Sequence, residues 1–271
     1  MKTRVIAAMV MVPLLCIAVF ALPKVATAIL FGAMAALAVY ELLYRTELVR
    51  HGRMIAYSMV TAFLVPVWCW AELQEGWGLL VVLLFVAALF GEMMNSHIKV
   101  PFEHLAYCMV AGLLIPYLFS SIVRIHNGDL GDRVVIIPFI LAFSSDTGAY
   151  FTGRFFGNHK LAPVISPKKT VEGAIGGVIA AVVGMLIYGI VMKLGFKMQV
   201  NFGYAVIYGL AGSVAGVFGD LCFSVIKRQT GIKDYGNLIP GHGGILDRFD
   251  SMMLVGPLSE ALILLLPVIG V

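Results

Sequence analysis

Charge is what this chain has least of. Only 13% of its 271 residues are Asp, Glu, Lys or Arg, while 61% are hydrophobic and the mean hydropathy is +0.96. Soluble domains run at roughly 45–50% apolar, so the composition excludes an ordinary soluble domain and marks a membrane protein. Cysteine is scarce too. Cys16, Cys69, Cys108 and Cys222 all fall in apolar runs and form no CxxC pair. That argues against a zinc site or a disulfide framework and leaves small packing residues. There is no GxxxxGK[ST], so this is not a P-loop NTPase, and no HExxH, which removes the common zinc-protease reading. Soluble domains, low-complexity tails and clear repeats are missing as well.

Long apolar runs are abundant. A bilayer takes about 20 such residues per helix. Nine runs qualify, at 5–22, 26–44, 54–71, 77–95, 104–123, 134–152, 171–192, 203–226 and 252–270. Lipid offers the backbone no hydrogen-bond partner, so each is expected to be a helix. The expected fold is all-α and polytopic, with about nine transmembrane helices. Residues 1–130 supply N-terminal spans, and 131–271 form a catalytic region with two motif loops. Glycines at 173, 176, 177 and 184, and at 209, 212 and 216, are read as close-packing positions between spans. The start resembles a signal peptide, with Lys2, Arg4 and a small-x-small Ala26-Thr27-Ala28. The run Val5 to Leu22 exceeds the usual apolar core of such a peptide, so an uncleaved first span is expected.

Nine spans place the N-terminus and the even-numbered loops on one side. That side carries 14 Lys and Arg; the other carries five (Lys24, Arg124, Arg133, Lys193 and Lys197). Positive loops prefer the cytoplasm, so the N-terminus is expected inside. Two long basic loops, about 152–170 and 227–251, then face the cytoplasm.

The scarce charges gather there. Ser224 to Asp250 holds four cations, three carboxylates and His242 in 27 residues. Asp220 lies inside the eighth run, with Ser224 at i+4 and Lys227 at i+7 on one helical face. A carboxylate at membrane depth needs a partner or a watery cavity. Either a structural Lys or Arg neutralises it, or it serves a site. Asp146 sits similarly, and either pairs with Arg154 or binds metal or nucleotide. Asp247 and Asp250 open the last span at i and i+3, where they share a face or cap the helix. The preceding Pro240-Gly241-His242-Gly243-Gly244 exposes backbone N–H groups at a helix start, a natural phosphate seat. Lys168 and Lys169 either anchor their loop or hold phosphate, and Thr170 is a plausible N-cap before Gly173. Carboxylates for Mg²⁺ beside cations for phosphate suit phosphoryl or nucleotidyl transfer.

At these residues the sequence resembles the phosphatidate cytidylyltransferase family, the CDP-diacylglycerol synthases. The family pattern is matched by Ser224, Lys227, Arg228, Lys233, Asp234, Pro240, His242, Gly243, Gly244, Asp247, Arg248 and Asp250. Upstream it is matched by Asp146, Ala149-Tyr150, Gly153-Arg154, Gly157, Ser166-Pro167, Lys169-Thr170 and Glu172-Gly173, and by Gly219-Asp220-Leu221. The likeness is strong from about residue 140 to 255; the first 130 residues resemble the family only as apolar spans. The resemblance implies that CTP and phosphatidic acid give CDP-diacylglycerol and pyrophosphate. It implies an enzyme of the bacterial inner membrane, homodimeric, with no nucleic-acid partner. It also implies Mg²⁺ and a second cation, K⁺ being the candidate, at the acids matching Asp220 and Asp247.

On this reading Asp220, Asp247 and Asp250 are the metal ligands, and Lys169, Lys227 and Arg228 seat phosphates. His242 positions substrate rather than acting as a base, because the lipid phosphate is already ionised. Asp146, Arg154, Lys168, Ser224, Lys233, Gly243, Gly244 and Arg248 complete the candidate substrate-binding set. A polyprenol kinase, transferring the γ-phosphoryl of CTP, is a second hypothesis. A transporter with acids in its spans is a third, against which the two motif loops argue.

Overall fold

The computed structural model describes residues 17, 19–72, 75–95, 100–238 and 243–270. In chain order the helices are α1 (Lys24–Tyr40, prolonged by a π-helical turn, Glu41–Arg45), α2 (Gly52–Ala71), α3 (Glu75–Asn95) and α4 (Phe102–Met109). A π-helical turn, Val110–Leu114, leads from α4 into α5 (Ile115–Phe119). Then follow α6 (Ser121–Asn127), α7 (Gly131–Val134), α8 (Ile137–Phe156), α9 (Val171–Gly195), α10 (Phe202–Gln229), α11 (Leu246–Phe249) and α12 (Met252–Leu265). The strands are short: β1 (Lys160–Ala162), β2 (Ser166–Thr170), β3 (Gln199–Val200) and β4 (Ile269–Gly270).

This is an all-α membrane protein. Among the described residues seven helices are long and apolar enough to span: Lys24–Arg45, Gly52–Ala71, Gly76–Asn95, Phe102–Asn127, Gly131–Phe156, Val171–Gly195 and Phe202–Gln229. The expected first span falls almost wholly outside the described residues. The expected last span differs from its sequence reading. A break at Asp250-Ser251 separates α11 from α12, and α12 has only 14 residues. Apolar side chains face outward along the spans, Leu79, Leu83 and Leu84 on α3 and Ile175, Ile179 and Ile187 on α9 among them. Such a surface is stable in lipid rather than water.

The chain divides into two compact units: residues up to Asp132 with Lys227–Phe249, and Arg133–Ile226 with Asp250 onward. In the first unit α1 packs along α2, where Gly32 approaches the Phe63 carbonyl so closely that a Cβ would lie 2.7 Å from it. Phe31, Phe119 and Phe249 form a chain of ring contacts, 6.1 and 5.8 Å between centroids, that seats α11 among the N-terminal helices. Asn127 donates to the Trp70 carbonyl at 2.9 Å and so satisfies the end of α2.

In the second unit α8 lies against α9. The contact needs small residues: a Cβ on Gly148 would sit 2.7 Å from the Gly176 carbonyl oxygen. Gly209 brings α10 equally close to the Val182 backbone of α9. Between α8 and α9 the chain makes an antiparallel hairpin, β1 on β2, with a register irregularity between Lys160 and Ala162. Thr170 then caps α9, accepting from the Gly173 N–H at 3.1 Å as the sequence leads one to expect. Glu172 reaches back to accept from His159 Nδ1 at 2.6 Å and from the Asn158 N–H at 3.2 Å, which ties down the root of the hairpin. At the far end of α9, β3 pairs with β4, and Tyr208 donates to the Leu266 carbonyl at 3.1 Å.

Candidate active site

The second unit carries one charged cluster. β2 delivers Lys169, whose ammonium lies 2.6 Å from Asp220 Oδ2 on α10. Ser224, one turn along α10, donates to Asp220 Oδ1 at 3.1 Å. The same ammonium also reaches the Val217 carbonyl at 3.5 Å. Strand and helix together make the wall of a 380 Å³ cavity, and α8 and the N-terminus of α9 close it. Its lining includes Asp146, Tyr150, Arg154, Lys168, Lys169 and Asp220, with Leu161, Ala174 and Val217 as the apolar part. Arg154 donates to the Tyr150 hydroxyl at 2.8 Å. Five of the charged residues singled out from the sequence thus meet at one cavity. Gly219 lets α10 pass close to the next segment, since a Cβ there would sit 2.8 Å from the Asp250 carbonyl. Asp250 itself is buried, and its Oδ1 accepts from the Ser251 N–H at 2.8 Å.

The first unit carries a second cluster. Lys227 lies 2.9 Å from Asp247 Oδ1, the two side chains being 10% and 2% exposed. Asp247 Oδ2 accepts from the Tyr235 N–H at 2.7 Å and the Gly244 N–H at 3.0 Å. The Lys227 ammonium also sits 5.3 Å from the centre of the Tyr235 ring. Ser224 and Lys227, which the spacing places on one helical face with Asp220, take different acids. Gly243 has φ +87°, a left-handed conformation that a side chain would strain, and a Cβ there would meet Asp247 Oδ2 at 2.7 Å. Arg228, Lys233 and Arg248 are exposed, and Arg228 donates to the Ile232 carbonyl at 3.4 Å. His242 lies outside the described residues.

Where the Gly-rich turn enters α11, its N–H groups meet side chains of the protein itself. The N–H groups of Ile245 and Leu246 donate to Glu41 Oε1 and Oε2 at 3.0 and 2.9 Å. With Gly244 N–H on Asp247, three consecutive N–H groups of this turn point at carboxylates of the protein.

Comparison with known proteins supplies the family. The model of the cytidylyltransferase family matches residues 2–266. The chain belongs to that family. A phosphatidate cytidylyltransferase of Bacillus subtilis is 34% identical over 241 residues, covering 86% of this chain and 87% of the relative. One from Haemophilus influenzae is 32% identical over an alignment of 286 residues, covering 95% and 96%. One from Staphylococcus haemolyticus is 40% identical over 163 residues, 60% of each chain.

The two Lys–Asp pairs are the candidates for the chemistry of a cytidylyltransferase. Each sets a carboxylate beside a cation, and each ammonium has further N–H groups to offer a phosphate. Among the described residues no three acidic, His or Cys side chains gather closely enough to cage a metal. Mg²⁺ does not require that; it commonly takes one or two carboxylates and fills its shell with water and phosphate oxygens. The donor set fits it. Glu41 is the member of the polar network that sequence reasoning missed. The available signal was an acid inside an otherwise apolar span.

Proposed function

We propose that this cytidylyltransferase-family chain transfers the cytidylyl group of CTP to phosphatidic acid, giving CDP-diacylglycerol and pyrophosphate. The observation that carries the reading is the cavity where Arg154, Lys168 and Lys169 meet Asp146 and Asp220. Cations and carboxylates around one space suit a polyphosphate better than a neutral solute.

A phosphate oxygen of the lipid attacks the α-phosphorus of CTP. The new P–O bond forms as the bond from that phosphorus to the bridging oxygen breaks, and pyrophosphate leaves with the electron pair. Both reactants are anionic, so the protein's task is to offset repulsion and align them. Lys169 and Lys227 seat phosphates by sharing ammonium groups that otherwise face Asp220 and Asp247; Arg154 and Lys168 add positive charge near Lys169, and Arg228 is the further candidate of the other unit. For Mg²⁺ we assign Asp220 and Asp247 as donors, with Asp250 the third candidate and K⁺ the candidate second cation. When bound, Mg²⁺ would neutralise the triphosphate and the developing charge. Tyr150, whose hydroxyl accepts from Arg154, lines the same cavity and is our candidate contact for the lipid. The positive-inside bias supports a cytoplasmic site and an internal N-terminus. We take the protein to lie in the bacterial inner membrane and its active form to be a homodimer.

The test is purified protein with labelled CTP and phosphatidic acid, with and without Mg²⁺. CDP-lipid and pyrophosphate, formed only with Mg²⁺, are expected. Lipid phosphate and CDP would instead assign a kinase, and no CDP-lipid under any condition would overturn the reading.

A further inference from the structure

We propose that Glu41 is a positioning residue for the Asp247 turn, acting through the backbone N–H groups of Ile245 and Leu246. The inference rests on the reaction assigned above.

Glu41 is 4% exposed, and a carboxylate so buried is sustained only by partners. Its two oxygens each take one N–H, from consecutive residues immediately before Asp247. Asp247 takes the N–H just upstream, on Gly244. Two carboxylates thus grip three successive N–H groups, and the turn has little freedom left. Glycines make the grip possible. A Cβ on Gly236 would lie 2.6 Å from Glu41 Oε1, and one on Gly244 would collide with both Glu41 oxygens. The glycines of the motif therefore clear space for protein carboxylates. Glu41 also opens the π-helical turn that ends α1, a local rewinding that sets its direction.

A helix start needs only a local Ser, Thr, Asp or Asn as cap. Here the cap comes from residue 41, and it fixes the residue whose Oδ1 meets Lys227. If Glu41 positions Asp247, loosening the grip should disturb how Asp247 serves Lys227 and Mg²⁺ while leaving the fold in place. In Glu41→Gln one oxygen becomes an NH₂ that cannot accept, so one N–H loses its partner.

The experiment uses full-length enzyme in detergent, as wild type, Glu41→Gln and Glu41→Asp, with Glu47→Gln at the exposed end of the same segment as control. Amide hydrogen exchange over residues 243–249 is expected to quicken about tenfold in Glu41→Gln, the scale of one lost buried hydrogen bond. kcat is expected to fall about tenfold, with KM for CTP and phosphatidic acid little changed and half-activation shifted to higher Mg²⁺. Glu41→Asp, too short to reach both N–H groups, should show the same signs even if Glu41→Gln folds poorly. Unchanged exchange, or quickened exchange with kcat and Mg²⁺ requirement intact, overturns the proposal. So does an activity loss that only tracks loss of folded protein. A wild type that makes no CDP-lipid would sink the reaction instead. The exchange result would still decide whether Glu41 holds the turn.

Discussion

At the residue scale the two Lys–Asp pairs look alike and differ in burial. Lys227 and Asp247 are nearly sealed from solvent, whereas Lys169 and Asp220 are 23% and 29% exposed. Removing one partner of a buried pair strands a charge and costs about 3–5 kcal/mol. A more accessible pair costs about 1 kcal/mol or less. Lys227→Met is therefore expected to lower both stability and turnover, and Lys169→Met to lower turnover with little change in unfolding. Denaturation in detergent, run beside the CTP assay, separates them; equal stability losses would contradict this ranking. Asp220→Asn and Asp247→Asn should each cut turnover by at least a hundredfold, as expected when a group offsetting transition-state charge is lost. Full activity in both folded variants would remove them from the chemistry. These residues were legible because rare charges in an apolar chain fall at a specific spacing. Glu41 was not, because its partners are backbone groups 204 and 205 residues away, which carry no side-chain signature.

At the element scale the long helices were legible from apolar length alone, and the Thr170 cap from residue type. The hairpin of β1 and β2 was not. Ser166-Pro167-Lys168-Lys169-Thr170 reads as a loop, and it becomes a strand only by pairing with residues 160–162. That pairing matters, because it delivers Lys169 to Asp220. The seam between α8 and α9 gives a paired prediction. Gly148→Ala would push a methyl to 2.7 Å from the Gly176 carbonyl oxygen, a backbone atom that cannot step aside. It should cost about 1–3 kcal/mol, the usual penalty of overpacking. At Gly216 the nearest atom would be 3.4 Å away, so Gly216→Ala should be neutral or slightly stabilising. Thermal unfolding of the two variants checks the contrast.

At the scale of the whole molecule, composition was enough to predict a helical membrane protein, but not the break at Asp250-Ser251, where the Asp250 carboxylate accepts from the Ser251 N–H. The second unit has distinct ends. The hairpin and cavity lie where α8 ends and α9 begins, and β3 and β4 lie where α9 ends and α10 begins. With the proposed orientation, a single cysteine at exposed Pro163 in a background free of the native cysteines should resist an impermeant maleimide until cells are lysed. One at exposed Lys197 should react in spheroplasts; the reverse pattern would invert the orientation. The Glu41 contact also sets a timetable. Ribosomes add about 5–20 residues per second, so α1 waits roughly 10–40 seconds after its synthesis for residues 245 and 246 to emerge. During that interval its carboxylate lies in a half-built membrane unit without the N–H groups that complete it. The contact thus joins an early-made helix to a late-made loop, and it can form only when most of the chain has been synthesised.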